Sequence, residues 1–450
     1  MRRVFLLLTC LTAIVLGACT GDSSLPTATG KGSIRTINAI KTSPDFGFLI
    51  EERLIAAVSF KGSTGVARYD DLDYTFNFEV LLSGNTFATR VASQFLHVIA
   101  DKDFVFLISG ALTNPTITLW EGDERTFDGT ETVFEARFGH ASESLGPVDV
   151  YLAAPGTAPA IGMEVATLSF REVVPAVDFA EGDYVITVTA AGDPSTIHYV
   201  SDTIPFAPRN ALIITVFDAD ANDTAPVTAP VSVRAITAGG ASSRLADVRF
   251  PPTARFIHAS ADLGAADIYD DATLGTPIVT NHQFGDTTAD LDVAIGESTI
   301  SYTAPGSPGV PLFDSTLNAT AGTHNDVVAV GQSGSITTSN FVADRRSVET
   351  IVKFRLFHAA ANHGLIDVYV VDAGTAIDDV LPRLAQLNFG FPSLTVALDA
   401  GSFDVYLTPT GDKTMLLAGP VRIDPVLGDV IDAIALDTVD PATAEIRIIP

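Results

Sequence analysis

Three histidines recur in one short motif, and an aspartate follows each of them at the same distance. The motif reads Arg-Phe-Gly-His-Ala-Ser, Arg-Phe-Ile-His-Ala-Ser and Arg-Leu-Phe-His-Ala-Ala in its three copies, and the aspartate comes nine residues after the histidine. A histidine beside a carboxylate is the pairing that general bases and metal ligands use. The candidate pairs for such chemistry are His140 and Asp149, His258 and Asp267, and His358 and Asp367.

The neighbours of these pairs argue against repeated catalysis and against a repeated metal centre. Ser142 and Ser260 follow their histidines by two residues, but Ala360 stands at that position in the third copy, so a Ser-His-Asp triad is not repeated. No other His, Asp or Glu recurs in step with the pairs, although a structural metal site needs a third and a fourth ligand.

The pattern of apolar residues indicates where the imidazoles point. In an extended strand His140 shares a face with Phe138, and His358 shares a face with Leu356, so both rings should face a core. We therefore interpret each aspartate as a structural partner that hydrogen-bonds its histidine or a turn amide. The arginine that opens each copy faces the other side, and it should pair with a surface carboxylate of its own or the preceding domain; these are Arg137, Arg255 and Arg355.

An acidic segment after the first motif copy is the second candidate site. Asp218, Asp220 and Asn222 alternate along the chain as the first oxygen ligands of a calcium loop do. An EF-hand is excluded, because Asp223 replaces the glycine at position six and Ala229 replaces the glutamate at position twelve. A looser calcium site that stiffens the junction between two domains remains as a hypothesis, and no other cofactor is expected.

The elements that position these residues are short strands. Apolar runs of four to eight residues are rich in Val, Ile, Phe and Thr and end at Gly, Pro, Asp or Asn, which is typical of β-sandwiches. A short helix is considered only for Val380–Leu387. Each copy also contains a phenylalanine with a glycine twelve residues later, and only the loop between aspartate and phenylalanine varies in length. The phenylalanines are Phe170, Phe284 and Phe389, and the glycines are Gly182, Gly296 and Gly401.

The spacing of the motif predicts the domain organisation. Its copies start 118 and 100 residues apart, which is the size of one immunoglobulin-like sandwich. A degenerate copy begins at Arg35, with Asn38 in place of the histidine and Gly47 in place of the aspartate. We predict an all-β chain of about four tandem immunoglobulin-like β-sandwich domains. Their predicted ranges are 34–122, 136–222, 254–336 and 353–450.

The composition excludes several classes of protein. Lys and Arg total 26 against 54 Asp and Glu, a net charge of −28 that repels the phosphates of nucleic acids. Apolar residues make up 47% of the chain and charged residues 18%, which argues against disorder. The 35 Gly and 25 Pro interrupt the chain too often for a coiled coil.

The N-terminus resembles a bacterial lipoprotein signal. Arg2 and Arg3 precede a short apolar run that ends in Leu-Gly-Ala-Cys, so residues 1–18 are the predicted signal peptide and Cys19 is the predicted lipidation site. Residues 19–33 read as a flexible tether. Cys10 leaves with the signal, so the mature chain has no disulfide and a charge of −30. Thr20 follows the cysteine in place of Asp, and the resemblance to Gram-negative lipoproteins then implies the outer membrane.

The repeated motif resembles the family called domain of unknown function 4397, whose members open with His-Ala-Ser-Pro and continue into an Asp-Val-Tyr strand. The resemblance covers roughly residues 137–450, with 35–122 as a weaker copy. It implies an extracytoplasmic location, a tandem arrangement and a sandwich fold, and it implies no molecular activity. The proline is absent from this chain, where Glu143, Ala261 and Ala361 stand at its position.

These observations favour a non-enzymatic, lipid-anchored protein of the cell envelope. We expect a string of sandwiches that acts as a scaffold, or as a binding or adhesion module for an unknown protein or glycan, on the periplasmic face or at the cell surface. The alternatives are an envelope hydrolase with a site between domains and a structural stalk stiffened by calcium. The membrane is the expected partner of the acyl chains, and nucleic acid is not expected as a partner.

Overall fold

The computed structural model describes residues 27–225 and 230–449 of the 450-residue chain. These residues form 34 β-strands and no helix, which confirms the all-β prediction. Within the same ranges, no helix has the length and apolar character that crossing a bilayer requires. The predicted signal peptide (1–18), Cys19 and the first part of the predicted tether (19–33) lie outside the described residues.

Unit 1 contains the first eight strands and forms a sandwich of two sheets. Its strands are β1 (Lys31–Asn38), β2 (Phe46–Ile50), β3 (Arg53–Val58), β4 (Ala67–Asp70), β5 (Asp73–Val80), β6 (Thr89–His97), β7 (Lys102–Ala111) and β8 (Asn114–Asp123). One sheet has the order β4-β1-β7-β8 and the other has the order β3-β2-β5-β6. In every unit we call the sheet that contains the first strand sheet I and the other sheet II.

Unit 2 follows the same plan with two added edge strands. Its strands are β9 (Val133–Ala141), β10 (Val148–Ala153), β11 (Ala166–Leu168), β12 (Val177–Ala180), β13 (Gly182–Ala190), β14 (Asp193–Val200), β15 (Ile204–Phe206), β16 (Ala211–Asp218), β17 (Val231–Thr237) and β18 (Ser242–Leu245). Sheet I has the order β12-β9-β16-β17-β18. Sheet II has the order β11-β10-β13-β14, and β15 pairs with β13.

Units 3 and 4 each have eight strands. Unit 3 contains β19 (Thr253–His258), β20 (Ala266–Tyr269), β21 (Val279–His282), β22 (Leu291–Asp292), β23 (Gly296–Thr303), β24 (Pro311–Ala319), β25 (His324–Val330) and β26 (Thr337–Val342). Unit 4 contains β27 (Val352–His358), β28 (Ile366–Asp372), β29 (Leu384–Leu387), β30 (Val396–Leu398), β31 (Phe403–Pro409), β32 (Ala418–Ile423), β33 (Val430–Asp437) and β34 (Ala444–Ile449). Their sheets I are β22-β19-β25-β26 and β30-β27-β33-β34, and their sheets II are β21-β20-β23-β24 and β29-β28-β31-β32.

All four units share one topology. In each of them the first strand pairs in parallel with a strand that arrives after sheet II is complete, namely β1 with β7, β9 with β16, β19 with β25 and β27 with β33. Unit 1 has this arrangement although it lacks the histidine and the aspartate of the motif. The degenerate copy at Arg35 is therefore a full repeat of the fold.

Each unit has its own hydrophobic core between its two sheets. Side chains alternate between the two faces of each strand, and those on the inner face form the core. In β10, for example, Val148 and Val150 face inward and Asp149 between them faces outward. The core of unit 1 is rich in phenylalanine, and Phe76 and Phe106 contact each other with ring centroids 5.1 Å apart. The other cores are built in the same way from Val, Ile, Leu and Phe of both sheets.

Two further apolar clusters join the units in pairs through the outer faces of their sheets I. Between units 1 and 2, the ring of Trp120 lies directly on Gly139, where an added Cβ would come within 2.5 Å of the ring. The indole Nε1 donates to the carbonyl of Arg171 over 2.7 Å. Between units 3 and 4, Phe341 stacks on Phe357 at 5.6 Å. The chain is thus built as two pairs of sandwiches.

The two pairs also contact each other. The segment between units 3 and 4 reaches back to unit 1, where the guanidinium of Arg346 donates to the carbonyl of Ser43 over 2.8 Å. The backbone amide of Glu349 donates to the carbonyl of Thr42 over 2.8 Å. Units 1 and 4 are neighbours as well, because the hydroxyl of Ser83 donates to Asp399 over 3.4 Å.

Three local predictions need correction. The predicted domain 136–222 ends too early, because β17 and β18 lie in the segment that was interpreted as a linker. The predicted domain 254–336 also ends too early, because β26 lies in the next segment that was interpreted as a linker. β17 pairs with β16 and with the edge strand β18, and β26 is an edge strand that pairs with β25. Polar residues in β18 and on the exposed positions of β26 hide the strand pattern. The helix considered for Val380–Leu387 is instead a turn followed by β29.

Candidate functional site

The three motif histidines end the first strand of units 2, 3 and 4 and face inward, as the sequence predicts. Each ring is fully buried, at 0% exposure. Each Nε2 bonds the carbonyl of a glycine six residues later: His140 with Gly146 at 3.0 Å, His258 with Gly264 at 2.6 Å and His358 with Gly364 at 2.8 Å. The imidazole therefore fixes the turn that leads from sheet I to sheet II.

The histidines do not bond their aspartates, so that half of the interpretation is wrong. The reason is the strand alternation, which sends the histidine into the core and the aspartate to the outer face of sheet II. Burial lowers the pKa of His140, His258 and His358, and the bond to the glycine carbonyl opposes this shift only in part. The three rings are therefore neutral near pH 7.

The aspartates bond turn amides, which is the other half of the interpretation. Each carboxylate accepts the backbone N–H of a glycine in the turn after the fifth strand of its unit, which is β13, β23 or β31. The distances are 2.7 Å from Asp149 to Gly192, 2.8 Å from Asp267 to Gly306 and 3.0 Å from Asp367 to Gly411. A second acceptor oxygen holds the third strand of the unit, through Thr167 Oγ1, Asn281 N or Gln386 N. The aspartate thus links the third strand of its unit to the turn after the fifth strand, and we call this aspartate the staple.

The repeated phenylalanines contact the histidines, a partnership that the sequence did not reveal. Phe170, Phe284 and Phe389 meet the imidazoles edge to face, with centroids 6.2, 6.3 and 5.8 Å apart. The residue after each phenylalanine donates its N–H to the carbonyl of the histidine, over 2.7, 2.7 and 2.8 Å. We call this phenylalanine and the residue after it the clip.

The clip exists in unit 1 as well, where Phe60 and Lys61 form it. Lys61 N donates to the carbonyl of Asn38 over 2.9 Å. The second clip residue has a positive φ in every unit, 60° at Lys61, 73° at Arg171, 85° at Gly285 and 80° at Gly390. Lysine and arginine adopt this left-handed conformation at two of the four sites although glycine is the residue that favours it.

The opening arginines form buried ion pairs at the interfaces within the two pairs of units. Arg137 bonds Asp103 of the preceding unit over 3.0 Å, and Arg35 shares the same carboxylate at 2.8 Å. Arg255 and Arg355 instead bond carboxylates of their own units, Asp326 and Asp432, each over 2.9 Å. Each arginine thus pairs with a carboxylate of the same or the preceding unit, but the expected surface location is wrong, since Asp103 and Asp326 are buried.

The proposed calcium ligands have protein partners and do not converge. Asp218 accepts bonds from the hydroxyls of Ser142 and Ser144 and from the amide of Glu143, so it caps the turn after the motif histidine. Asn222 points the other way and donates to Asp344 over 2.9 Å. Their oxygens already accept hydrogen bonds from the protein, so this geometry lends no support to calcium at these residues, and the calcium site stays a hypothesis.

Asp220 belongs to a buried cluster of ion pairs that the sequence did not predict. Lys61 of unit 1 is 5% exposed and pairs with both Asp223 and Asp220, the latter at 3.3 Å. Arg244 approaches Asp223 to 3.1 Å and Arg234 approaches it to 3.5 Å. Burial would raise the pKa of Asp223, but the surrounding cations lower it. The carboxylates of Asp220 and Asp223 are thus paired with three side-chain cations, one from unit 1 and two from unit 2.

This geometry limits what the motif can do chemically. The three histidines lie in three separate cores and share no groove. The hydroxyl of Ser142 is directed to Asp218, so it forms no triad with His140. In the described ranges, no group of three or more His, Cys, Asp or Glu side chains is arranged to hold a metal ion.

Large apolar side chains are exposed in the loops between the second and third strands of two units. Ile161 is 77% exposed and Met163 is 48% exposed in the loop 154–165 of unit 2. Leu381 is 83% exposed in the loop 373–383 of unit 4. These are the loops that vary in length between the motif copies, and the aspartate staples hold the strands at their bases.

Comparison with known proteins finds a family match for one stretch of the chain. No curated protein matches the chain. The solved structure of the Bacillus anthracis TIE protein is similar at 10% sequence identity over 92% of this chain and 69% of that chain, with a TM-score of 0.15. Residues 252–369, which span unit 3 and the first strands of unit 4, match the family described as Domain of unknown function (DUF4397). Unit 3 is therefore similar to a DUF4397 domain, and it repeats within an all-β tandem array.

Proposed function

We propose that this chain is a lipid-anchored protein of the bacterial cell envelope that binds a protein or glycan partner and catalyses no reaction. The observation that carries the proposal is a contrast between two parts of each unit, the motif and the loops of variable length. The motif residues are buried and bonded to turns, whereas the loops of variable length expose apolar side chains. Loops on rigid sandwiches commonly carry recognition.

The apolar loop residues support binding in particular. Leu381 and Ile161 are each more than three-quarters exposed, at 83% and 77%. Ordering such a side chain against a partner removes apolar surface from water, which stabilises a complex by about 25 cal/mol per Å². Exposed apolar residues held on stapled loops are thus suited to a partner surface, and the polar rim of the same loops would supply specificity.

A capture experiment tests the binding role. The soluble chain from Thr20 onward serves as bait with envelope extract, beside a variant that carries Ile161→Ser, Met163→Ser and Leu381→Ser. The control is Val439→Ser, which changes a fully exposed apolar residue on a different loop. We expect a partner that the parent and the control retain and that the loop variant loses. Equal recovery by all three proteins would contradict the assignment of binding to these loops.

The lipid anchor needs a separate test because Cys19 lies outside the described residues. We expect the full chain to incorporate a labelled fatty acid and to sediment with outer membranes, and the Cys19→Ala variant to do neither. Acyl chains contribute about 0.8 kcal/mol per buried methylene, so their loss should release the protein. A Cys19→Ala protein that remains membrane-bound after a salt wash would disprove lipid anchoring while leaving the binding role open.

The hydrolase alternative has less support. It requires a nucleophile and a base within reach of each other in an open cleft. The candidate bases His140, His258 and His358 are fully buried, and their Nε2 atoms bond backbone carbonyls. The side chains that would complete a triad already have other partners, because Ser142 donates to Asp218 and the motif aspartates accept from turn amides. The non-enzymatic proposal is therefore the one that the arrangement of these residues supports better.

A further inference from the structure

Unit 3 contains a second buried histidine that the fold does not explain. His282 ends β21, where it lies opposite Ala266, and it is 4% exposed. The equivalent residues of the other units are apolar, namely Val58 opposite Phe46, Leu168 opposite Val148 and Leu387 opposite Ile366. A polar ring has replaced an aliphatic side chain at this core position in one unit only.

Both histidines of this core carry a nitrogen without a hydrogen-bond partner. In the described part of the chain, Nδ1 of His258 and Nε2 of His282 are buried and make no hydrogen bond. A buried polar atom left in this state costs about 1–3 kcal/mol. Nδ1 of His358 in unit 4 is buried and unpaired as well, so unit 3 is distinguished by the second unpaired nitrogen, that of His282, on a neighbouring ring. One partner placed between the two rings would satisfy both nitrogens.

The geometry of the two rings suits one shared ion. Their centroids lie 5.7 Å apart with an interplanar angle of 35°. A metal ion about 2.0–2.1 Å from a nitrogen of each imidazole holds the two ring centroids about 5–6.5 Å apart. The observed separation falls within this interval, so the rings need no large movement to ligate one ion.

The chemistry of the nitrogens points in the same direction. Nε2 of His258 bonds the carbonyl of Gly264 at 2.6 Å, so it carries the proton and leaves Nδ1 with a lone pair. A backbone carbonyl on the far nitrogen is the usual second-shell support of a metal-ligating histidine.

A cavity of about 190 Å³ lies between units 3 and 4 and is lined by His258 and Asp286 among others. His282 does not line this cavity and the ring of His258 is fully buried, so the space between the two rings is enclosed in the core of unit 3. Arg447 closes one side of the cavity by donating to the carbonyl of Gly285 over 2.8 Å.

We propose that His258 and His282 together bind one divalent transition-metal ion of the zinc, nickel or copper class in the core of unit 3. Imidazole nitrogens prefer these ions to calcium or magnesium, which take oxygen ligands. The site is independent of the lipid anchor and of the partner-binding loops. It adds a stabilising cross-link between the first strand of sheet I and the third strand of the unit.

Calorimetric titration of the chelator-treated chain with Zn²⁺ and Ni²⁺ tests this site, together with the unfolding midpoint with and without each ion. The decisive variant is His282→Leu, which installs the residue found in units 2 and 4 and should therefore fold. The control is His97→Gln, which changes a histidine of unit 1 whose side chain is 61% exposed. We expect one ion per chain, a raised midpoint in the parent and the control, and at least tenfold weaker binding by His282→Leu.

Two results would overturn the site. One is a parent chain that shows no saturable binding of either ion, in which case water occupies the space between the rings. The other is binding of equal strength and stoichiometry by the parent and by His282→Leu, which would place the ion elsewhere. Hydrogen exchange of the β21 amides supplies a second readout, because only an ion held by His282 slows their exchange.

Discussion

Unit 1 builds the same sandwich as units 2, 3 and 4 without the histidine and the aspartate that mark the repeat. At the histidine position, Asn38 is fully buried and makes local bonds instead, donating to Ser43 Oγ over 2.9 Å and accepting from Ile40 N over 2.9 Å. Both side chains therefore fix the turn after the first strand. The difference teaches that the histidine serves as a turn-holding group, and that an amide of suitable length can replace it.

The aspartate position shows a different kind of replacement. Gly47 stands there in unit 1, so the outer face of sheet II has no carboxylate to staple its loops. The tyrosine two residues after each aspartate, which is nearly fully buried in units 2 to 4, is replaced by Leu49. What all four units retain is the clip at Phe60, Phe170, Phe284 and Phe389. The fold thus depends on a backbone clip, and the motif side chains adapt each unit to its own loops.

Removing a motif histidine should produce the largest effect. His358→Ala deletes a fully buried ring, its bond to Gly364 and its contact with Phe389, and we expect unit 4 to lose about 3–5 kcal/mol of stability. His358→Asn should recover part of this loss, because asparagine holds the same turn in unit 1. Unit-resolved hydrogen exchange measures both values. Equal losses for Ala and Asn would show that the two turns are not held in equivalent ways.

Removing a staple should have the next largest effect. Asp367→Ala leaves the amides of Gln386 and Gly411 without their acceptor, which we expect to cost unit 4 about 2–3 kcal/mol. The loss should be local, with faster exchange of these two amides and little change in β27. Exchange rates that stay at the parental value would mean that the loops are held by other contacts, as they are in unit 1.

Acid should distinguish units 2 and 4 from unit 1. Burial lowers the pKa of His140 and His358, so between the unfolded pKa of about 6.5 and the lower folded pKa the unfolded chain binds more protons. Stability is then complete above pH 6.5 and falls as the pH drops below it, by about 1.4 kcal/mol for each unit of pKa difference. Unit 1 has Asn38 at this position and lacks this contribution.

Hydrogen exchange at pH 7.5 and pH 5 measures this difference, with His358→Asn as the matched variant. The protection of unit 4 should fall less with acid in the variant than in the parent, while unit 2 continues to respond through His140. A parent in which units 1, 2 and 4 lose protection equally would attribute the acid response to the carboxylates of the whole chain.

Part of this architecture can be predicted from the sequence. The regular spacing of the motif predicts four sandwiches and the inward direction of His140, because side-chain alternation is a local property of strands. The same alternation, read through Val148-Asp149-Val150, also places the aspartate on the opposite side of its sheet. That signal was available, and the nine-residue spacing between histidine and aspartate wrongly suggested a contact.

Other features could not be predicted because they depend on long-range packing. Lys61 and Asp223 are 162 positions apart, and neither lies in a motif. The clip in unit 1 is similarly hidden, since Phe60 lacks the glycine that follows the other phenylalanines by twelve residues. The strand β18 escaped notice because it is a short edge strand, Ser-Ser-Arg-Leu, and edge strands keep polar residues on their open side. The replacement of a core leucine by His282 becomes visible only when the strands of different units are aligned by their register.

The smallest effect should come from placing the missing aspartate in unit 1. At Gly47 an added Cβ meets its nearest neighbour, a Leu54 methyl carbon, at 3.5 Å, which is ordinary contact, and φ is not in the left-handed region. Gly47→Asp should therefore fold, and the gain from removing a strand glycine should offset the repulsion by Glu79 on the paired strand. We expect a change within about 1 kcal/mol. A stabilisation well above this value in chemical denaturation would show that the loops of unit 1 can still accept a staple, and that the carboxylate itself holds them in place.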